Sequence, residues 1–369
     1  MTRRNVADDE MYDGDDDVRR PDRLGEFLAA CRESLLRAYA DADREALRYQ
    51  ARYRRLILFA SLFTTAALLF AAWTRVSRAP TPEWFGWTEA TLALGSAVLV
   101  GIGLGGQWQK KWLLLRYRAE RYRLLKFHLL IDTSTWVAGS EGWRSALASG
   151  IREVTELEHE DLEDEAATEP VAPLCDSAAC AAVRREETSA LLDYYKRRRL
   201  ALQIAYFKTS ARKGRSIWLD ALWVPGVFFV AMAAVLVRFV LERTGAIARG
   251  GWENNALAVA PILLPALLGA LRLRVTANEV SRNRSRSLAR ESALREIARR
   301  VGGIDESLVL RVTGTVREMR EPAGLRLATV VEGSPDAAFV FSNLALAEQI
   351  LSTDQHEWLR LMLEAEWYR

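Results

Sequence analysis

The stretch Leu56-Ile-Leu-Phe-Ala-Ser-Leu-Phe-Thr-Thr-Ala-Ala-Leu-Leu-Phe-Ala-Ala-Trp-Thr74 contains no charged residue, and its reading decides the fold. A second uncharged run, Ala90–Gln109, follows after a short loop. The same pairing returns later as Ala221–Val237 and Asn254–Leu271. A helix needs roughly 17 to 25 apolar residues to cross a bilayer core, and each run approaches or meets that length. Four spans arranged two and two predict an integral membrane protein.

Bulk composition conceals this pattern. Charged residues make up 27% of the 369-residue chain and the mean hydropathy is −0.06, values typical of a soluble protein. The average mixes apolar runs with long charged segments and describes neither. Core helices of a large soluble domain would carry a polar stripe, whereas these runs are hydrophobic all round. Aromatic residues collect at their ends: Trp84, Trp87, Trp108, Trp112, Trp218 and Trp223. That placement fits an aromatic belt at headgroup level.

Charge predicts the orientation. Arg44, Arg48, Arg52, Arg54 and Arg55 precede the first run, and Lys110, Lys111, Arg116, Arg118, Arg121 and Arg123 follow the second. Lys196–Arg199, Lys208, Arg212, Lys213 and Arg215 precede the third, and Arg272, Arg274, Arg282, Arg284 and Arg286 follow the fourth. The two short loops carry only a few mixed charges. The positive-inside rule therefore puts both termini and the long middle segment in the cytoplasm of a plasma (inner) membrane protein. Anionic lipid headgroups account for the basic collars without any direct nucleic-acid partner. No secretory n-region is legible, because the N-terminal residues Asp8, Asp9, Glu10, Asp13 and Asp15–Asp17 are acidic.

The order basic helix, span, short loop, span, basic helix occurs twice, with equivalent spans roughly 165 residues apart. A period that long points to a duplicated module rather than a solenoid. The expected organisation is a disordered acidic tail (1–25), a first two-span repeat (26–138), an acidic cytoplasmic insert (139–188), a second two-span repeat (189–302) and a C-terminal cytoplasmic segment (303–369). The spans are placed at 56–76, 88–108, 217–238 and 254–273. The expected fold class is an all-α membrane protein: two transmembrane helical hairpins with long juxtamembrane helices forming a cytoplasmic helical domain. Beyond the fourth span, Val275–Val301 and Leu344–Glu366 have helical spacing, while Leu308–Val316 and Leu325–Val331 alternate weakly and fit short strands or helices.

Four segments carry a family likeness: Leu35–Gln50 before the first span, Trp112–Trp136 after the second, Leu192–Lys213 before the third and Glu357–Trp367 near the C-terminus. Together they resemble the SLATT superfamily, the SMODS- and SLOG-associating two-transmembrane effector domains of bacteria, in a tandem four-span form. The match departs from the family pattern at Phe127-His128-Leu129, where a further Trp-x-Tyr is expected. The resemblance implies an oligomeric membrane effector, pore-forming and used in antiphage defence. It further implies a trigger supplied by a cytoplasmic sensor protein or a nucleotide signal. The competing expectation is a non-conducting membrane scaffold that anchors a cytoplasmic partner.

Candidate pore or gate residues follow from position. Asp220 is a carboxylate at the edge of an apolar run. Intramembrane acids line ion paths, but one turn beyond Ser216 a headgroup location is the simpler reading. Pro261 and Pro265 share a face of the fourth span and bend it, as a static kink or a gating hinge. Asn254 and Asn255 stand at its outer end, where capping is the economical role and a pore mouth the alternative. Gly95, Gly101 and Gly105 enrich the second span. The string Gly101–Gly106 lacks the preceding strand of a dinucleotide loop, so helix packing in lipid explains it better.

Little else suggests chemistry. The run Thr155–Glu169 holds eight acidic residues with His159 among them, and lacks the Gly and ligand spacing of a calcium loop. Cys175 and Cys180 have too few companions for a zinc site, and neither His128 nor His356 has a nucleophile nearby in sequence. No nucleophile elbow, P-loop or metalloprotease helix is present. The sequence predicts neither an enzyme nor a bound metal or cofactor.

Overall fold

The computed structural model describes residues 10–20, 22–76, 84–168, 180, 183–213, 237, 240–241, 244, 280–303 and 336–364. Every described element is helical. In chain order they are α1 (Asp15–Val18), α2 (Arg23–Ala30), α3 (Leu36–Val76), α4 (Trp84–Gly106), α5 (Trp108–Ile131), α6 (Thr133–Glu156), α7 (Asp161–Ala167), α8 (Arg185–Tyr195), α9 (Ala201–Lys213), α10 (Val280–Arg300) and α11 (Ala337–Glu364). Two π-helical turns, Cys31–Leu35 and Lys196–Leu200, join α2 to α3 and α8 to α9. The third and fourth expected spans, and the weakly alternating segments 308–316 and 325–331, lie outside the described residues.

The chain divides into two compact units. The first comprises Met1–Arg48, Lys110–Ala211 and Arg286–Arg369; the second comprises Tyr49–Gln109 and Arg212–Ser285. The division runs across the sequence repeats rather than between them, so each repeat contributes to both units.

In the second unit, most of the large side chains described on α3 and α4 face outward. Ile57, Leu58, Phe59, Leu62, Leu68 and Leu69 are exposed on α3, and Trp87, Leu94, Val98 and Ile102 on α4. Apolar surface spread around a helix in this way calls for a non-aqueous neighbour. One helix among the described residues, Arg23–Trp73, is long and apolar enough to cross a membrane, and only 6% of its most apolar window is buried. A soluble core helix would be mostly buried.

Helices α3 and α4 meet through the Phe70 and Phe85 rings, 5.2 Å between centroids, and through small and polar residues. Thr64 Oγ1 and Ser96 Oγ lie 2.6 Å apart and both reach the Ala60 carbonyl, at 2.9 and 3.3 Å, so one hydroxyl donates to its neighbour and the other to the carbonyl. A Cβ on Gly95 would stand 2.9 Å from the Phe63 ring. A Cβ on Gly101 or Gly105 would meet nothing within 4 Å.

The first unit is built on a conventional apolar core. Trp143 packs edge-on against Phe27 (5.7 Å between centroids) and Trp136 (5.4 Å), while the Trp136 indole donates to the Leu130 carbonyl at 2.7 Å. Asp22 starts α2 by accepting from Gly25 N at 2.9 Å, and a Cβ on Gly25 would strike the Arg20 carbonyl oxygen at 2.1 Å. At Gly139 the backbone takes φ 73°, a left-handed conformation that kinks α6 and suits glycine.

Two stretches of this unit share a pattern of burial. Each π turn precedes a helix whose buried positions repeat at the same spacing: Leu35, Tyr39, Ala42 and Ala46 after the first, Leu200, Ile204, Phe207 and Ala211 after the second. The offset between the two sets matches the period of the apolar runs. A π turn holds one residue more than an α turn and often marks a functional position.

One expectation needs correction. The acidic segment expected as a disordered tail is ordered and packed from Glu10 onward: Glu10, Met11 and Asp17 are buried. It is held because it meets basic partners, and a carboxylate run stays solvated only when nothing opposes it. Within the acidic insert, Leu162 and Ala166 are buried in α7 and Glu165 accepts from Tyr117 Oη at 2.6 Å.

Candidate functional site

The chemistry of the first unit concentrates in a buried ionic network around the second π turn. Arg199, in that turn, donates Nε to Glu348 Oε1 (2.8 Å) and Nη2 to Glu348 Oε2 (2.7 Å), a bidentate clasp on α11. Its Nη1 donates to Glu10 Oε2 at 2.9 Å, and its guanidinium lies 4.4 Å from the centroid of the Phe127 ring. Tyr195 Oη donates to Glu348 Oε1 at 2.6 Å and Gln203 Nε2 to Glu10 Oε1 at 2.5 Å. Arg199, Glu10 and Glu348 are all fully buried.

The network continues along α5. Arg123 pairs with Glu10 (3.2 Å) and with Glu120, and Arg116 bridges Glu120 (2.5 Å) and Asp43 (2.9 Å). Lys126 Nζ donates to both Asp13 carboxylate oxygens, at 3.0 and 2.9 Å, and to the Glu10 carbonyl at 2.9 Å. Tyr194 Oη donates to Asp13 Oδ1 at 2.5 Å. At the rim Arg197 and Arg198 bind Asp17 at 3.2 and 3.1 Å. Arg286 and Arg290 of α10 pair with Glu357, and Arg290 with Asp354, on α11.

Electrostatics lock these protonation states. Burial alone would raise the Glu348 carboxyl, but the Arg199 guanidinium with its hydrogen bonds, helped by His128 and Tyr195, holds it below the usual carboxylate range. Burial also works against the Glu120 carboxylate, which Arg123, Arg116 and Arg199 keep low. The Tyr194 and Tyr195 hydroxyls are pushed well above their ordinary value, by burial first and by Asp13 and Glu348 respectively, so both stay protonated donors. His128 Nε2 lies 3.9 Å from Glu348 Oε2. Burial lowers its pKa; Glu348 opposes that shift, and Arg199 and Arg121 add to it. Burial pushes the Cys31 thiol up to about 12, which makes it unreactive.

What this arrangement does chemically is hold helices together. It joins the segment at Glu10–Asp17, α5, the α8–α9 pair and α11. Among the described residues no group of three or more His, Cys, Asp or Glu side chains could hold a metal ion.

The residues predicted as pore or gate elements are not part of it. Asp220, Asn254, Asn255, Pro261 and Pro265 lie outside the described residues. Sequence reading missed the network because each half looked self-sufficient: Lys196–Arg199 as a lipid-facing collar, Glu10–Asp17 as a solvated run. The available signal was their complementarity, an acidic segment and a basic segment in a chain whose net charge is only +3.

Compared with known proteins, the chain matches no protein-family model, no curated protein and no solved structure.

Proposed function

We propose that this protein is a multi-pass membrane effector, an oligomeric pore or channel in the plasma membrane, gated through helices on the cytoplasmic side. In this reading four spans cross the bilayer, both termini are cytoplasmic, and no catalytic step is involved. A sensor protein or a nucleotide signal supplies the trigger, as the SLATT resemblance implies.

One observation carries the proposal. The helix Arg23–Trp73 begins in the tightly packed first unit, where Leu24, Phe27, Leu28, Leu35 and Tyr39 are buried, and ends in an apolar window that is almost wholly unburied. A helix that runs unbroken from a packed ionic domain into a lipid-compatible segment suits a device in which one controls the other. Several copies would be needed, because four thin spans hardly enclose a channel.

Ion flux through the purified protein in liposomes tests this. Flux above that of empty vesicles, changed by Asp220→Ala or by the Pro261→Ala/Pro265→Ala pair, is the expected result. No flux, with and without cytoplasmic extract, would favour the scaffold. A scaffold would be indifferent to those substitutions and sensitive to truncation after Arg300.

A further inference from the structure

The acidic segment Glu10–Val18 is held in a way that resembles a ligand in a receptor. Its carboxylates at positions 10, 13 and 17 each meet a separate basic station. Arg199, Gln203 and Arg123 take Glu10; Lys126 and Tyr194 take Asp13; Arg197 and Arg198 take Asp17. These partners lie on α5, α8, the second π turn and α9, more than 100 residues away in sequence. A further pair, Arg32 with Asp15 at 2.7 Å, sits at the exposed rim.

The receiving side is incomplete without this segment. Lys126 is fully buried, and the carboxylate it pairs with belongs to Asp13. A buried ammonium without a counter-charge is strongly unfavourable, so the groove demands an anion there. Glu10 likewise supplies half of the charge around Arg199, Glu348 supplying the rest.

The segment itself is anchored chiefly by polar contacts, with Met11 in the core and Val18 packed against it. Its helix α1 is only four residues long, Met11 is its one buried apolar side chain, and Arg19 beside it is exposed. Most of its attachment is charge pairing and hydrogen bonding, and the pairs at the rim are open to screening by salt.

We propose that the groove lined by Arg123, Lys126, Tyr194, Arg197, Arg199 and Gln203 is a receptor for an acidic peptide with carboxylates at positions i, i+3 and i+7. Residues 10–18 are its resident occupant, and an acidic segment of the same spacing offered in trans takes their place. Recognition is by spacing as well as charge, because three stations at fixed places on rigid helices cannot all be met by an arbitrary polyanion.

The test uses the full chain in detergent micelles, with a protease recognition sequence inserted between Arg19 and Arg20. The probe is a fluorescent peptide of residues 6–20. Before cleavage, the resident segment should keep probe binding weak. After cleavage and removal of the released fragment, saturable binding should tighten at least tenfold. A peptide carrying Glu10→Gln, Asp13→Asn and Asp17→Asn should bind at least tenfold more weakly, as should a scrambled peptide of identical composition. Lys126→Met in the cleaved protein should lower affinity for the native peptide and leave the weak binding of its neutralised form unchanged.

Equal binding of native and scrambled peptides would overturn the proposal, since the groove would then read charge alone. Failure of the cleaved fragment to leave, or unfolding of the protein when it does, would also overturn it by making the segment a permanent part of the fold. Hydrogen exchange on the uncut chain gives an independent reading. Amides of α1 should exchange at least a hundredfold faster than those of α9; equal protection would contradict exchange of the occupant.

Discussion

At the scale of single residues, Glu348 is the most consequential side chain described. It holds both ends of the Arg199 fork and the Tyr195 hydroxyl, with no access to water. Removing one partner of a buried ion pair costs about 3–5 kcal/mol, because the survivor is left charged and unsolvated. Glu348→Ala should therefore destabilise the first unit by about that much in chemical denaturation, and Glu348→Gln, which keeps an acceptor, by less. The double change Arg199→Met/Glu348→Ala should recover part of the loss. A double variant no more stable than Glu348→Ala would show that Arg199 finds adequate pairing with Glu10 alone.

Acid should weaken the same residues in two stages. The folded-state pKa of His128 lies below its ordinary value of 6.5, so the stability it contributes is present above that pH and is lost as pH falls through the folded value. Glu348 and Glu120 are also depressed, from 4.5, and add a second loss at lower pH. Thermal unfolding between pH 8 and 4 should show the midpoint falling below about pH 6.5 and more steeply below about pH 4.5. His128→Gln should diminish the first stage only; an unchanged profile would remove His128 from the explanation.

At the scale of elements, the contact of α3 with α4 separates two contributions. The Thr64–Ser96 hydrogen bond belongs to a class worth about 0.6 kcal/mol on average between helices in lipid. Overpacking a tight contact costs about 1–3 kcal/mol. Gly95→Leu, which drives a side chain into Phe63, should therefore destabilise the protein more than Ser96→Ala when both are unfolded from mixed micelles. The reverse order would mean that the hydroxyl pair dominates the contact.

The elements also divide what the sequence could disclose from what it could not. Length and lack of charge placed a helix over Leu56–Thr74, and α3 covers it; helical spacing placed another over Leu344–Glu366, and α11 begins earlier, at Ala337. The π turns left no such trace, since Cys31–Leu35 and Lys196–Leu200 share little composition and an extra residue in a turn alters no hydrophobic period. The packing of Glu10–Asp17 was hidden for a different reason. Its partners are distant in sequence, and local charge patterning cannot distinguish a solvated acid from a paired one.

For the whole molecule, the membrane reading sets the broadest expectation. The purified protein should require detergent or lipid to stay dispersed. A cysteine introduced between residues 77 and 83 should react with an impermeant reagent from outside intact cells, whereas one introduced at an exposed position of α10 should not. Labelling of both sites from the same side would overturn the hairpin topology. The apolar run Leu56–Thr74 made the one membrane-length helix among the described residues legible. The compact ionic unit was not, because it is assembled from three separated stretches and its core emerges only when they are brought together.

That assembly imposes an order on biosynthesis. Glu10 leaves the ribosome before Arg199, and Arg199 about 150 residues before Glu348. Until then the apolar segments between them have already emerged, and Arg199 waits with one of its two carboxylates missing. A nascent chain stopped before Ala337 lacks the Glu348 clasp on Arg199, and one carried past Glu348 can close it.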